Sequence, residues 1–329
     1  MSEKTAIEWC DATFNPWIGC TKISPACDDC YAARSTPARA MGIAWGPGEP
    51  RRRTAESTWA APKRWAKAAA KAGHRPRVFC ASLADWLDNE VPIAWLLEML
   101  DLIRCTPELD WLLLSKRIGN WPRRLSDAWD EGMHPVRVTE DRVALLQWIE
   151  DWLADKPPAN VWLGATVATQ EEADRDVPKL LAVPARVRFL SIEPMLGPID
   201  LTNIRVPLAG ESYTEGNVLV HKSCLDRGAP RPAIDWVICG GESGPKARPL
   251  HVEWMHSLVA QCASAGVAVN VKQLGRKVHS GGTTRPGEHW PQGSPGEWDG
   301  QRFVQTLAHP KGGDPSEWPE GLRRQEFPA

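Results

Sequence analysis

Short apolar segments recur along the chain, and each is rich in Val, Ile, Leu or Phe and ends in small or polar residues. This pattern is typical of buried β-strands. Six strands are predicted in this way, at 78–82, 110–115, 161–167, 187–192, 235–240 and 267–272. A seventh is predicted within 13–18, just ahead of a cluster of cysteines.

The segments between these strands have the periodicity of amphipathic helices. Three are well marked, at 93–104, 141–153 and 253–265, and each is preceded or opened by Pro, Asp or Glu. Strands that alternate with helices indicate a parallel sheet. Roughly seven strand–helix units favour an α/β fold with a full or partial (β/α) barrel. The alternative is an open doubly wound sheet, which would hold a ligand where the strand order reverses.

Two parts of the chain interrupt this alternation. We expect residues 1–275 to form the barrel, with a basic insertion at about 45–77 and an excursion rich in Pro and Gly at about 197–234. Residues 276–329, a Gly/Pro-rich C-terminal extension, are expected to form a loop-rich tail. Four aromatic residues predict that this tail packs onto the barrel: Trp290, Trp298, Trp318 and Phe327.

Polar residues follow nearly every predicted strand. In (β/α) barrels the chemistry lies at the carboxyl ends of the strands, so these side chains are expected to share one site. The residues at these ends are Cys20, Ser82, Asp85, Lys116, Thr166, Glu193, Glu242 and Lys272.

The composition is that of a globular protein, with 43% hydrophobic and 24% charged residues among 329. The apolar runs are only a few residues long, whereas a membrane-spanning helix needs about 20. The first residues do not lead into the apolar region of a secretory signal. We therefore expect a cytoplasmic protein with no membrane partner.

The net charge of −2 hides a basic segment, 51–77, which holds nine Lys and Arg residues and a single acid. With Trp59 and Trp65 interleaved, this segment indicates a surface for nucleic acid. The alternative is a solvated helix face, since three lysines lie at i, i+4 spacing: Lys63, Lys67 and Lys71.

Three cysteines, Cys20, Cys27 and Cys30, follow the first predicted strand with the spacing C-x6-C-x2-C. Three thiolates on a short loop can hold three irons of a [4Fe-4S] cluster and leave the fourth iron open. In radical S-adenosylmethionine (SAM) enzymes SAM binds that iron, and its cleavage gives a 5'-deoxyadenosyl radical. The alternative is a closed zinc site with Cys10 as the fourth thiolate.

The sequence also resembles a known family, the phage-associated three-cysteine-motif proteins, whose function is largely unassigned and which are regarded as radical SAM-like. The resemblance covers almost the whole chain and implies a barrel of the radical SAM type, with the cluster on the three cysteines. Members of that family typically lack a cysteine at the position of Cys10, which disfavours zinc. Asp29, where many radical SAM enzymes have an aromatic residue, and the six-residue first gap depart from the usual radical SAM motif. The similar segments are IEWCDATFNPWIGC, CDDCYA, ASLADWLDNEVP, LLLSKR, NVWLGATV, VRFLSIEPMLGPIDL, DWVICGGESGPKARP, VKQLG and KGGDPSEWPEGLRRQEFP.

A weaker similarity is to the spore photoproduct lyase branch of radical SAM enzymes. It implies that Ser82 and Asp85 contact the amino group of SAM and that Lys116 contacts its carboxylate. Arg117, the next residue, is a possible substitute for Lys116. These pairings are chemically reasonable, because a cation binds a carboxylate and acidic or hydroxyl oxygens accept from an ammonium.

The segment Gly240-Gly241-Glu242 resembles the Gly-Gly-Glu that binds the amino group of SAM in many radical SAM enzymes. Because it follows about the sixth strand rather than the second, we expect it to line the substrate pocket, where glycines allow close backbone approach. Glu193 and Lys272 also point inward by position, with a buried ion pair as the alternative. Thr166, Glu193 and the Gly240–Glu242 segment complete the set of candidate cofactor-binding residues.

These observations predict a radical SAM enzyme with a [4Fe-4S] cluster and SAM, acting on a nucleic acid or nucleotide in base modification or repair. Such an enzyme needs an electron donor such as flavodoxin or ferredoxin. One alternative is a zinc-stabilised nucleic-acid-binding protein without redox chemistry. Another is an iron–sulfur protein whose cluster is not catalytic.

Overall fold

The computed structural model describes residues 5, 7–134, 139–204, 223–226, 232–281, 290 and 295–328. Its strands are β1 (Ala12–Phe14), β2 (Trp17–Ile18), β3 (Arg52–Arg53), β4 (Arg77–Cys80), β5 (Asp110–Ser115), β6 (Val161–Thr166), β7 (Val187–Ile192), β8 (Trp236–Gly240), β9 (Leu250–His251), β10 (Ala268–Gln273), β11 (Val278–Ser280), β12 (Gly296–Trp298) and β13 (Phe303–Gln305). Its α-helices are α1 (Thr36–Ala40), α2 (Glu56–Trp59), α3 (Ala61–Ala72), α4 (Ile93–Arg104), α5 (Trp121–Met133), α6 (Glu140–Leu153), α7 (Gln170–Ala182) and α8 (Val252–Ala265).

Seven strands form the main sheet in the order β1-β4-β5-β6-β7-β8-β10. The pairs run parallel, as the alternation of strands and helices predicts. The order follows the sequence without a reversal, which is the order of a (β/α) barrel and not of a doubly wound sheet. In the described part of the chain β1 and β10 are the end strands, so the barrel is partial rather than full.

The predicted elements match this structure closely. The segments predicted at 93–104, 110–115 and 187–192 are α4, β5 and β7. The first predicted strand is shorter, because β1 ends at Phe14 and Trp17–Ile18 pairs separately with Arg52–Arg53. Long apolar runs thus locate the strands of the sheet within one or two residues.

Local signals set the helix ends. Helix α6 begins after Thr139, whose side chain accepts from the N–H of Arg142 at 3.2 Å, and two acids occupy its first turn. Helix α3 ends at Gly73, whose φ of +69° is a left-handed conformation that favours glycine. Helix α8 ends in the same way at Gly266.

The chain divides into two compact units. One consists of Met1–Ile23, Cys30–Ala165 and Ala182–Val187, and the other of Ser24–Asp29, Thr166–Leu181 and Arg188–Ala329. In the first unit, β5 is buried on both faces and Phe14 packs edge-on against Trp111 at 5.6 Å between ring centroids. Helices α4, α5 and α6 pack on one another beside this sheet.

In the second unit the described part of the tail packs onto β10. Gln325 forms a bridge with Asn270, and the Val271 N–H donates to the Arg324 carbonyl at 2.8 Å. Trp318 is fully buried and Phe327 contacts the ring of Trp236, whereas Trp298 is exposed. The described part of the tail also contributes β11, β12 and β13 to a second sheet with the order β12-β13-β11-β9.

Most of the excursion expected at 197–234 lies outside the described residues, namely 205–222 and 227–231. None of the helices in the described ranges has both the length and the apolar character that a membrane span requires.

The buried side chains of β5 allow a direct test of this core. Leu113→Ala, at a fully buried position, should lower the free energy of unfolding by about 2–5 kcal/mol, because it leaves a cavity. Val143→Ala, at a position 52% exposed on α6, should change it by less than about 0.5 kcal/mol. Urea denaturation measures both values, and similar losses in the two variants would contradict the assignment of β5 to the core.

Candidate functional site

The carboxyl ends of β4 and β5 bring several predicted site residues together. Asp85 follows β4 and is only 4% exposed. Its Oδ1 accepts from Ser115 Oγ at 2.7 Å, and its Oδ2 accepts from the Lys116 N–H at 2.9 Å and from Arg117 Nη1 at 3.1 Å. The carboxylate therefore fixes the turn that leaves β5.

Arg117 connects this carboxylate to the cysteine loop. Its Nη1 lies 3.4 Å from Cys20 Sγ, and its Nη2 donates to the Thr21 carbonyl at 2.6 Å. The side chain is 8% exposed. Burial disfavours its charged form, but the negative charge of nearby Asp85 holds the pKa of Arg117 above its ordinary value. A permanent positive charge thus lies beside Cys20.

The Cys20 thiol is held in its protonated form. Burial raises its pKa to about 12, with a further contribution from the negative charge of Asp85 and an opposing one from Arg117. A metal that binds at a thiol displaces this proton.

Ser82 and Lys116 have partners within the protein. The Ser82 hydroxyl is paired with the Asn15 side chain, at 3.0 Å from Asn15 Nδ2. Lys116 contributes its backbone N–H to Asp85, and the cation beside Cys20 belongs to Arg117. Sequence position alone does not decide which of two adjacent basic side chains turns toward the site.

Much of the basic segment is neutralised by ion pairs. Arg51 is completely buried and lies 2.8 Å from Asp88 and 2.6 Å from Glu90. Its Nη2 also donates to Thr21 Oγ1 at 2.8 Å, so it supports the cysteine loop. Gly19, with φ +112°, passes so close to Arg51 that a Cβ would lie 3.3 Å from its Cδ.

Other arginines of this segment are also paired. Arg53 stacks on Trp59 at 4.3 Å and is paired with Glu56 and Glu98. Arg75 pairs with Asp110 and Arg77 with Asp11. Trp59 is buried, so it packs in the core and is not available to stack on a base. The exposed cations of the segment that remain on α3 are Lys63, Arg64, Lys67 and Lys71.

In the second unit, Glu193 and Lys272 form the ion pair that was the alternative reading of these residues. Lys272 Nζ lies 3.0 Å from Glu193 Oε1, and the two side chains are 24% and 14% exposed. Gly240 lies against Glu193 and Gln273, since a Cβ there would be 2.9 Å from Glu193 Oε1 and 3.2 Å from the Gln273 carbonyl oxygen. Gly241 has a different role, because a Cβ would lie 2.1 Å from the Leu274 carbonyl oxygen. Thr166, at the end of β6, is buried.

Glu242 is hydrogen-bonded to Arg248, a residue that the sequence analysis did not single out. Its carboxylate accepts from the Arg248 N–H and Nε, both at 2.9 Å, and from Nη2 at 2.7 Å. Arg248 Nη1 donates to the Pro25 carbonyl at 2.8 Å, two residues before Cys27. Glu242 therefore anchors the Ser24–Asp29 segment through Arg248. The proximity of an arginine in the same loop is the only sequence signal for this pair.

The three cysteines are thiols in this structure. Within the described residues, no three His, Cys, Asp or Glu side chains are grouped in a way that would hold a metal ion. The chemistry of the donors nevertheless fits an iron–sulfur cluster, because thiolate sulfur is the ligand such clusters use. Cys10 precedes β1, whereas Cys20 contacts Arg117 beyond the end of β5. Since β1, β4 and β5 run parallel, Cys10, which precedes β1, lies toward the opposite edge of the sheet from Cys20.

The Asp85–Arg117 pair yields a stability test with a matched control. Asp85→Asn should lower the free energy of unfolding by about 3–5 kcal/mol, because it leaves the buried Arg117 without its anionic partner. Asp101→Asn removes the partner of Arg104 in a more exposed pair, whose side chains are 42% and 18% exposed, and should cost at most about 1 kcal/mol. Equal losses in urea denaturation would show that the Arg117 charge is solvated.

No curated protein and no solved structure matches the chain. A family model does match, and it covers residues 4–306, nearly the whole length, including the cysteine loop and both groups of polar residues. The chain belongs to the family described as "Protein of unknown function (DUF5131)".

Proposed function

We propose that this protein is a radical SAM enzyme that carries a [4Fe-4S] cluster on Cys20, Cys27 and Cys30 and acts on a nucleic acid or nucleotide. The observation that carries the proposal is the buried group at the carboxyl ends of β4 and β5, where Arg117 lies between Asp85 and Cys20. Neighbouring parallel strands of a barrel place their catalytic residues at this edge.

The cluster, when bound, supplies an open iron for SAM and the electron that cleaves it. The residues of the chain provide the surrounding charges. Arg117 supplies the positive charge beside Cys20 that suits both a thiolate and the carboxylate of SAM. Asp85 holds Arg117 in place and, with the Ser82 hydroxyl, offers oxygen acceptors for an amino group. Arg248 and Glu242 hold the segment that carries Cys27.

Arg117 replaces Lys116 in this proposal for a geometric reason. A guanidinium presents several donors in a fixed plane, so it can contact Asp85, the Thr21 carbonyl and the Cys20 sulfur at the same time. The electron is proposed to come from a small redox protein such as flavodoxin or ferredoxin.

The test uses protein that is purified and reconstituted without oxygen and then reduced with dithionite. We expect a brown protein whose EPR signal shifts when SAM is added and which releases 5'-deoxyadenosine. Cys27→Ser should lose the cluster, whereas Cys10→Ser and the exposed Cys105→Ser should keep it.

Two results would contradict the proposal. A colourless protein with one tightly bound zinc, lost equally in Cys10→Ser and Cys27→Ser, would establish the zinc alternative. A coloured protein that does not cleave SAM under these conditions would indicate a cluster without catalysis.

The nucleic-acid part of the proposal rests on α3. Lys63, Lys67 and Lys71 are exposed on this helix, which contains no acidic residue. Their i, i+4 spacing sets neighbouring cations about 6 Å apart along the helix. A row of cations of this kind suits a phosphate backbone.

Replacing these three lysines by Gln should weaken the binding of a single-stranded oligonucleotide. The slope of log affinity against log salt concentration should fall in magnitude by about 2, because three phosphate contacts are lost. Fluorescence anisotropy over a salt series measures both quantities. The matched control removes three exposed lysines elsewhere, namely Lys156, Lys179 and Lys311. An equal effect of the two triple substitutions would exclude a specific role for α3.

A further inference from the structure

The sulfur of Cys20 has a charged hydrogen-bond donor. Arg117 Nη1 lies 3.4 Å from Cys20 Sγ and is directed at it, so the contact qualifies as a hydrogen bond to sulfur. The donor is a guanidinium, which stays charged over the whole physiological pH range. Since the Arg117 side chain is only 8% exposed, solvent and salt screen this contact weakly.

Two further contacts fix the guanidinium in this orientation. The same Nη1 donates to Asp85 Oδ2 at 3.1 Å, and Nη2 donates to the Thr21 carbonyl at 2.6 Å. Asp85 is itself held by Ser115 Oγ at 2.7 Å. Arg117 therefore cannot turn away from Cys20 without breaking other hydrogen bonds in a buried place, which is costly.

Asp85 acts on the same sulfur with the opposite sign. One nitrogen, Arg117 Nη1, contacts both the carboxylate and Cys20 Sγ, so the negative charge of Asp85 also lies close to the sulfur. Its side chain is 6% exposed, so little water separates the charges. A positive and a negative group of fixed geometry thus lie beside one cysteine.

The cluster proposed for Cys20, Cys27 and Cys30 gains one negative charge when it accepts an electron. A positive charge or a hydrogen-bond donor beside a ligand sulfur stabilises the reduced form more than the oxidised form, and a negative charge does the reverse. Local charge and hydrogen bonds to the sulfurs are among the means by which a protein sets the reduction potential of an iron–sulfur cluster.

We infer that Arg117 and Asp85 set the reduction potential of this cluster in opposite directions. Arg117 raises the potential through its charge and its hydrogen bond to Cys20, and Asp85 lowers it through its charge. The inference deepens the proposed function and rests on it in one respect, that Cys20 ligates the cluster. A higher potential allows a weaker reductant to supply the electron, so Arg117 widens the range of suitable donors.

The test is a redox titration of the reconstituted full-length protein without SAM and without oxygen. Dithionite supplies the electron, and EPR measures the reduced fraction. Arg117→Met keeps an unbranched side chain but has neither charge nor donor. At the midpoint potential of the wild-type protein its ratio of reduced to oxidised cluster should fall about tenfold, which is 59 mV for one electron. Arg117→Lys keeps the charge and should show a smaller fall.

Asp85→Asn removes the opposing charge, while its amide oxygen can still accept from Arg117. Its ratio of reduced to oxidised cluster should rise about threefold, because a charge that acts at longer range is weaker than the direct contact of Arg117. Opposite shifts identify an electrostatic effect, since a loosened cysteine loop would move both variants in the same direction. The matched controls Asp101→Asn and Arg104→Met, from the more exposed pair on α4, should keep the wild-type potential.

A second measurement needs no change at the ion pair. Protein labelled with 15N-arginine is reduced, and pulsed EPR detects nitrogen nuclei that couple to the unpaired spin. The wild-type protein should show such a coupling, because an arginine nitrogen lies 3.4 Å from a ligand sulfur. Circular dichroism and the absorbance near 400 nm verify that each variant is folded and carries the cluster.

The inference is overturned if Arg117→Met and Asp85→Asn titrate at the wild-type potential or shift in the same direction, or if the wild-type spectrum has no 15N coupling. Such a result leaves the proposed function standing when 5'-deoxyadenosine is still released. Opposite shifts without SAM cleavage would reject the proposed function and keep the inference. A protein that binds no iron–sulfur cluster would reject both.

Discussion

The Arg117 guanidinium carries a charge that is buried away from water, and this burial costs free energy. The turns around it supply the partners that offset the desolvation cost. A buried charge is tolerated only when it is paired and its donors are bonded. Asp85 supplies the opposite charge, and the Thr21 carbonyl and Cys20 sulfur accept from the remaining donors. These contacts join the loops that follow β1, β4 and β5, so Arg117 is one of the side chains that hold the cysteine loop in position.

Arginines paired with acidic side chains also occur at other loops. Arg51 is buried against Asp88 and Glu90, and Arg248 is bonded to Glu242. Each of these arginines also donates to a backbone carbonyl or hydroxyl in the region of the cysteines. Loops contain few apolar residues, so buried ion pairs stabilise them, whereas apolar packing stabilises the sheet. The Glu193–Lys272 pair differs from these, because it is partly open to solvent and lacks an aligned hydrogen bond.

The sequence predicts the sheet well and the site only in part. Runs such as Trp111–Leu114 are apolar on both faces, and a buried parallel strand is the conformation that accommodates them. The positions of Asp85 and Glu193 follow from the strand ends. Their partners do not, because a long flexible side chain can reach several neighbours and the choice depends on three-dimensional packing. Lys116 and Arg117 are equivalent in sequence, and Arg51 and Arg248 are recognised as loop anchors only from their contacts.

The pairing of residues 324–326 with β10 also affects how the chain folds during translation. The first compact unit contains β1, β4, β5 and most of β6, and its chain segments end at Val187. It can therefore fold while the remainder is still being translated, as amino-terminal units commonly do. The hydrogen-bonding groups on the outer edge of β10, in contrast, stay unpaired until residues 324–326 have been synthesised. An unpaired strand edge recruits other strands, so the nascent second unit passes through an interval in which it is prone to aggregate.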